Sequence, residues 1–187
     1  MGESPYAFVM GGNYRKLNSS LCIHRTFFER DLLYFCKGFR ACYAKYGSLE
    51  NLFSAAAGTP TEAEGRGSPL DIWEGISLFR EVMARANGGM YTKHIANPAA
   101  GSACKRLHLA LRWLVRREGP VDLGLWKGIS PASLFIPLDL HVGRTARYLG
   151  LLERRANDKK AVLTLTEKLR AFCPEDPVKY DLALFGY

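Results

Sequence analysis

The sequence has no run of the roughly 18–20 apolar residues that a membrane-spanning helix requires, so an integral membrane protein is not expected. Its first residues, Met1-Gly2-Glu3-Ser4-Pro5-Tyr6, lack a basic stretch followed by an apolar one, which argues against a secretory signal. Cysteine is sparse and odd in number: Cys22, Cys36, Cys42, Cys104 and Cys173, with no CxxC spacing. Free thiols in a reducing cytoplasm fit that pattern better than a disulfide framework. His24, His94, His108 and His141 show no zinc-ligand spacing with them, so no metal and no cofactor are expected. Gly11-Gly12-Asn13-Tyr14-Arg15-Lys16 lacks the spacing and the Lys-Ser/Thr ending of a phosphate-binding P-loop. No segment alternates as a strand should, and no internal repeat is visible.

What is present is an ordinary globular composition, 48% hydrophobic and 24% charged over 187 residues, enough for one well-buried domain. The net charge of +8 is less ordinary and favours a polyanionic partner. It is also unevenly placed: residues 1–93 carry 11 basic and 9 acidic side chains, residues 94–187 carry 15 and 9. A polyanion site, if the chain has one, belongs to the second part.

The apolar spacing is helical almost throughout, which makes the chain an all-α protein. Asp31 to Tyr46 places Leu32, Phe35, Phe39 and Tyr43 on one face and stops at Gly47. Ser48 caps a short segment to Ala57. Residues 58–68 are small, polar and rich in glycine and proline, hence an exposed loop. Ser68-Pro69 opens the next helix, which ends before Asn87-Gly88-Gly89. Further helices are expected over Ala103 to Arg117, Asp139 to Leu149, and from Asp158 to about Phe172, with a last one opened by Asp176-Pro177.

Two segments could carry chemistry. On the helix from Ala103, Leu107, Ala110, Leu111, Leu114 and Val115 gather on a buried side, while Lys105, Arg112 and Arg116 fall together on the opposite, polar side. Lys105 follows the small-residue turn Asn97 to Ser102, where backbone N–H groups at a helix start can hold a phosphate. A merely solvated basic face explains the same pattern. In the second segment, Ile136 to Arg144, Asp139 occupies an N-cap position behind Pro137 and Leu138, with His141 and Arg144 off the apolar stripe. Helix capping alone also accounts for Asp139.

Together the two segments resemble the helix-hairpin-helix DNA glycosylase superfamily, which includes endonuclease III and the 8-oxoguanine glycosylases. Gly101-Ser102-Ala103-Cys104-Lys105 is similar to its Gly-x-Gly-x-Lys hairpin, with Ala103 in place of the second glycine. Pro137-Leu138-Asp139-Leu140-His141-Val142-Gly143-Arg144 is similar to its (V/P)-D-x-H-x-x-R segment, and Asp176 to Gly186 to its closing helix. The chain is closer still to an uncharacterised bacterial glycosylase-like family. The hairpin is degenerate, the Lys-to-Asp separation is 34 residues, and the iron–sulfur cysteines of endonuclease III are missing. Related chains have further helical sequence ahead of Met1, so this one reads as an N-terminally shortened member.

The resemblance implies a single two-lobed helical domain over 1–187, with 1–93 as the first part and 94–187 holding the hairpin and the essential Asp. It implies a monomeric DNA repair glycosylase acting on a damaged base in double-stranded DNA, an oxidised purine such as 8-oxoguanine. Lys105 would be the nucleophile, forming a Schiff base at C1′ that permits β-elimination. Asp139 would stabilise the positive charge that builds on the sugar. Gly101, Ser102, Ala103, Arg106, Arg112, Arg116, His141 and Arg144 would grip the strand. The alternative is a non-catalytic nucleic-acid-binding protein that keeps the scaffold. Trp73, Trp113 and Trp126 are expected in the core, with stacking on a flipped base as the alternative and Trp113 at a face boundary, and His24 as a buried, hydrogen-bonded imidazole.

Overall fold

A computed structural model describes residues 4–16, 21–56 and 71–187. The loop expected at 58–68 and the cap expected at Ser68-Pro69 lie outside the described residues. The chain groups into two compact units, residues 1–52 with 78–95, and residues 53–77 with 96–187. Among the described residues, 53–56 and 71–77 thus group with the second part of the chain.

The first unit holds α1 (Pro5–Gly11), a 3-10 turn (Asn13–Lys16), a hairpin of β1 (Cys22–His24) and β2 (Phe27–Phe28), and α2 (Glu29–Tyr46). It also holds the start of α3 (Leu49–Ala55) and the end of α4 (Ile72–Arg85), inside which the two unit boundaries fall. The short antiparallel hairpin was not legible as a strand pattern, since three and two residues are too few to show a period. His24 lies exposed on β1, not buried as expected. Asp31 reaches back to accept from the Phe28 N–H at 2.8 Å, and Gly47 ends α2 with φ 76°. Along α2 the rings of Phe35, Phe39 and Tyr43 form an i, i+4 ladder, and Phe39 continues it to Phe79 at 6.1 Å. Gly38 is needed for close approach: a Cβ there would lie 2.2 Å from the Met83 sulfur.

The second unit begins in α3 and includes the first turns of α4, where Asp71 accepts from the Trp73 N–H at 2.8 Å. It then contains α5 (Lys105–Val115), a 3-10 turn (Pro131–Ser133), α6 (Leu140–Tyr148), α7 (Lys159–Phe172), a 3-10 turn (Pro177–Tyr180) and α8 (Asp181–Gly186). Asp139 and Asp158 cap α6 and α7 as expected, accepting from Val142 N at 2.8 Å and Ala161 N at 3.0 Å. The core comes from Ala161, Val162, Leu165 and Leu169 of α7 with Leu134, Ile136 and Leu138. The Thr166 hydroxyl there accepts from the Ile136 N–H at 3.1 Å. α6 packs on α8, and α7 on the turn at Pro177–Tyr180. Trp73 is core, with His108 at 4.5 Å and Phe135 at 5.4 Å between ring centroids.

The fold is therefore mainly helical. Among the described residues no helix is long and apolar enough to cross a membrane, and the five cysteines are free thiols.

Candidate functional site

The candidate site lies within the second unit. Its first component is the turn before α5. Gly101 adopts φ 78° and Cys104 φ 47°, so the second left-handed position falls on Cys104, not on Ala103 where the hairpin pattern has its second glycine. The Ser102 hydroxyl accepts from the Cys104 N–H at 3.3 Å. The turn is tied to α7 by the Lys159 N–H donating to the Gly101 carbonyl at 2.9 Å. Turns stand where the first helix of a hairpin would be: no helix lies between Arg85 and Lys105 among the described residues. Gly101 and Ser102 reach solvent, whereas Ala103 is buried.

Lys105 is the first residue of α5 and is exposed, as is Arg106 beside it. Asp139 precedes α6. Its Oδ1 is engaged by Val142, while the Asn157 side chain donates to its carbonyl at 2.8 Å, so cap and loop fix the carboxyl's position. Buried Pro137 and Leu138 anchor the approach to it. Lys105 and Asp139 line one cleft of about 220 Å³, together with Arg112, Trp113, Asp181 and Phe185. Trp113 and Phe185 are 39% and 54% exposed, so aromatic faces of this cleft are open to a ligand.

Arg112 and Arg116 are buried. They were expected beside Lys105 on a solvated face, yet they are only 1% and 5% exposed. Arg112 lies 3.4 Å from Asp122 and 3.6 Å from Asp181. The Arg116 Nε donates to both carboxylate oxygens of Asp176 at 3.1 and 2.9 Å, and its Nη1 pairs with Asp122. Arg112 lines the cleft with Lys105, whereas Arg116 follows the end of α5 in extended backbone. The helical wheel could not show that the segment after α5 and the chain around α8 would cover that side with three carboxylates. Neither guanidinium is available to grip a strand. Arg112 works inside the cleft wall: its Nε and Nη2 have no hydrogen-bond partner by strict geometry and are held by charge alone.

Burial raises Asp181 to about 6. Arg112 and Arg116 pull it down, but Asp139 and Asp122 push it up, and removal from water prevails. His108, buried against Trp73 and Phe135, is lowered to about 3 by burial and then by the charge of Lys159. It stays a neutral core imidazole. Among the described residues no group of three or more His, Cys, Asp or Glu is placed to hold a metal.

His141 and Arg144 are exposed one turn apart on α6 and line a different cavity, of about 300 Å³, with Tyr148 and Phe185. Trp126 is half-buried, 5.5 Å from Phe53. Asp181, Phe185 and Asp122 had no role in the sequence reading. The faint signal was that Asp181 and Phe185 sit four apart on the last helix and so share a face. A family model described as a protein of unknown function, DUF2400, matches residues 1–187. The chain belongs to the DUF2400 family. No curated protein matches it, and no solved structure does. What this DUF2400 chain brings together is thus an amine, two carboxyls and open aromatic faces in a single cleft.

Proposed function

We propose that this chain is a DNA glycosylase with lyase activity, with Lys105 as its nucleophile and Asp139 as the carboxylate that stabilises the sugar cation. The observation that carries it is the shared cleft: Lys105 at the start of α5 and Asp139 at the start of α6 line one cleft beside Trp113 and Phe185. A base taken out of the stack would lie against those rings, its unstacking cost offset by contacts in the cleft and to phosphates. The Lys105 amine attacks C1′ as the base leaves. Opening of the C1′–O4′ bond then gives the Schiff base, and loss of its C2′ proton to solvent water expels the 3′ phosphate by β-elimination. A carboxylate at Asp139 is worth most where positive charge develops on the sugar in a water-poor site. Exposed Arg106, His141 and Arg144, with the backbone at Gly101 and Ser102, meet the phosphates and supply affinity, not base selectivity.

On this basis the two units are the lobes of a glycosylase scaffold with a degenerate helix-hairpin-helix. The partner is double-stranded DNA with an oxidised purine, bound by a monomer in the cytoplasm. Borohydride trapping on a lesion-bearing duplex tests the proposal. The wild type should give a covalent adduct that disappears in Lys105→Gln, and Asp139→Asn should slow base release by about 100-fold or more. An adduct that persists in Lys105→Gln rules out the nucleophile. No adduct and no base release with any oxidised-purine duplex rules out the enzyme.

A further inference from the structure

The cavity of about 300 Å³ between α6 and α8 has a lining unlike that of the cleft. His141, Arg144, Thr145 and Tyr148 supply its α6 side, and Phe185 and Tyr187 the other. The α6 residues recur at i, i+3, i+4 and i+7 and so share one face, with Thr145 buried and His141, Arg144 and Tyr148 exposed. Two ring pairs frame the opening. His141 meets Phe185 edge-on at 5.4 Å, and Tyr148 lies 5.8 Å from Tyr187 with the rings 33° apart. Tyr148 is 75% exposed, an aromatic surface left to water that core packing does not use. None of the lining side chains is a carboxylate, and Arg144 is exposed one turn before Tyr148.

Open rings beside an exposed guanidinium suit a flat base joined to a phosphate. Any base can stack on an aromatic face, and a guanidinium matches phosphate oxygens in a bidentate fork. The volume is at the small end of ligand sites, about 300–1,000 Å³. Phe185 lines both this cavity and the cleft of Lys105 and Asp139.

We propose that this cavity receives the nucleotide next to the one held in the cleft, its base stacked on Tyr148 and its phosphate on Arg144. The two sites then take two successive nucleotides of one strand, with Phe185 as the shared wall. This inference rests on the glycosylase proposal, since it needs the cleft to hold DNA.

The experiment uses duplexes in which 2-aminopurine flanks an abasic analogue, on either side or two steps away. Binding should change the probe's fluorescence at one of the two flanking positions and leave the distant position unchanged. Tyr148→Ala should abolish that response and weaken binding roughly tenfold, the scale of one lost stacking contact. Arg144→Gln should also weaken binding and reduce the response at sub-saturating protein. A free nucleotide could supply the same chemistry, so dAMP is titrated separately. If dAMP saturates the site at micromolar concentration and the flanking probe stays silent, the strand assignment is overturned. If borohydride trapping by the wild type succeeds but neither flanking probe responds, this inference fails and the glycosylase proposal stands. If no duplex is bound at low salt, both fail.

Discussion

The carboxyl of Asp181 sits 3.6 Å from a buried guanidinium and still titrates near 6, because burial costs the charged form more than Arg112 returns. Its folded-state value lies above its unfolded one, so its contribution to stability is full below pH about 4 and is lost as pH climbs through about 6. His108 acts in the opposite sense. Its value is depressed to about 3, so its contribution is present above its unfolded value of 6.5 and is lost as pH falls toward 3. The effect of Asp181 is therefore read as a difference between proteins. Relative to Asp181→Asn, the wild type should lose about 2–3 kcal/mol of unfolding free energy between pH 4 and pH 7. Urea titrations of both proteins at unit pH steps measure it, and parallel curves would show that Asp181 titrates normally. Asp181 is also the residue the sequence concealed best. An Asp after a proline turn at the start of a short helix looks like a cap, and its burial depends on α5 being beside it.

At the scale of elements, capping chemistry was the most legible layer. Asp139 and Asp158 accept from their helices' first turns, and Gly47 ends α2, because these residue types solve local problems without help from distant ones. The turn before α5 was legible at Gly101 and misplaced at its second left-handed residue. Gly101→Ala should destabilise by about 1–2 kcal/mol. The cause is conformational and not steric, since a Cβ there meets nothing within 4 Å but would be forced to φ 78°. The side of α5 that carries Arg112 was misjudged as solvated. Removing one partner of a buried ionic network strands the rest, so Arg112→Ala, leaving Asp181 without its ion-pair partner and Asp122 with Arg116 alone, should cost about 3–5 kcal/mol by urea unfolding. A loss under 1 kcal/mol would mean that the carboxyls are protonated or solvated instead.

For the whole molecule the charge of +8 has to be recounted by burial. Arg112 and Arg116 are sequestered together with Asp122 and Asp181, which takes two cations and two carboxyls out of the field, with Asp176 half-buried beside them. The net charge of the surface of residues 94–187 is therefore unchanged by this burial, although it is carried by other cations. Counterion release then ties affinity to the exposed cations alone. In anisotropy titrations with duplex DNA, Arg106→Gln should reduce the slope of log affinity against log salt by about one. Arg112→Met, in protein that remains folded, should leave that slope unchanged. A duplex affinity independent of salt would remove nucleic acid from consideration.

The sequence by itself determined the helices, their caps and the placement of Lys105 and Asp139 at two helix starts. Each of those features depends on interactions within a few residues. Only the tertiary structure decided which charges are buried. That outcome depends on contacts as distant in the chain as Arg112 with Asp181 and Arg116 with Asp176, which no local periodicity encodes. It also decided that Lys105 and Asp139, 34 residues apart, line the same cleft, and that Asp181 and Phe185 join them there. The packing of α6 against α8 brings the last helix of the chain to that cleft.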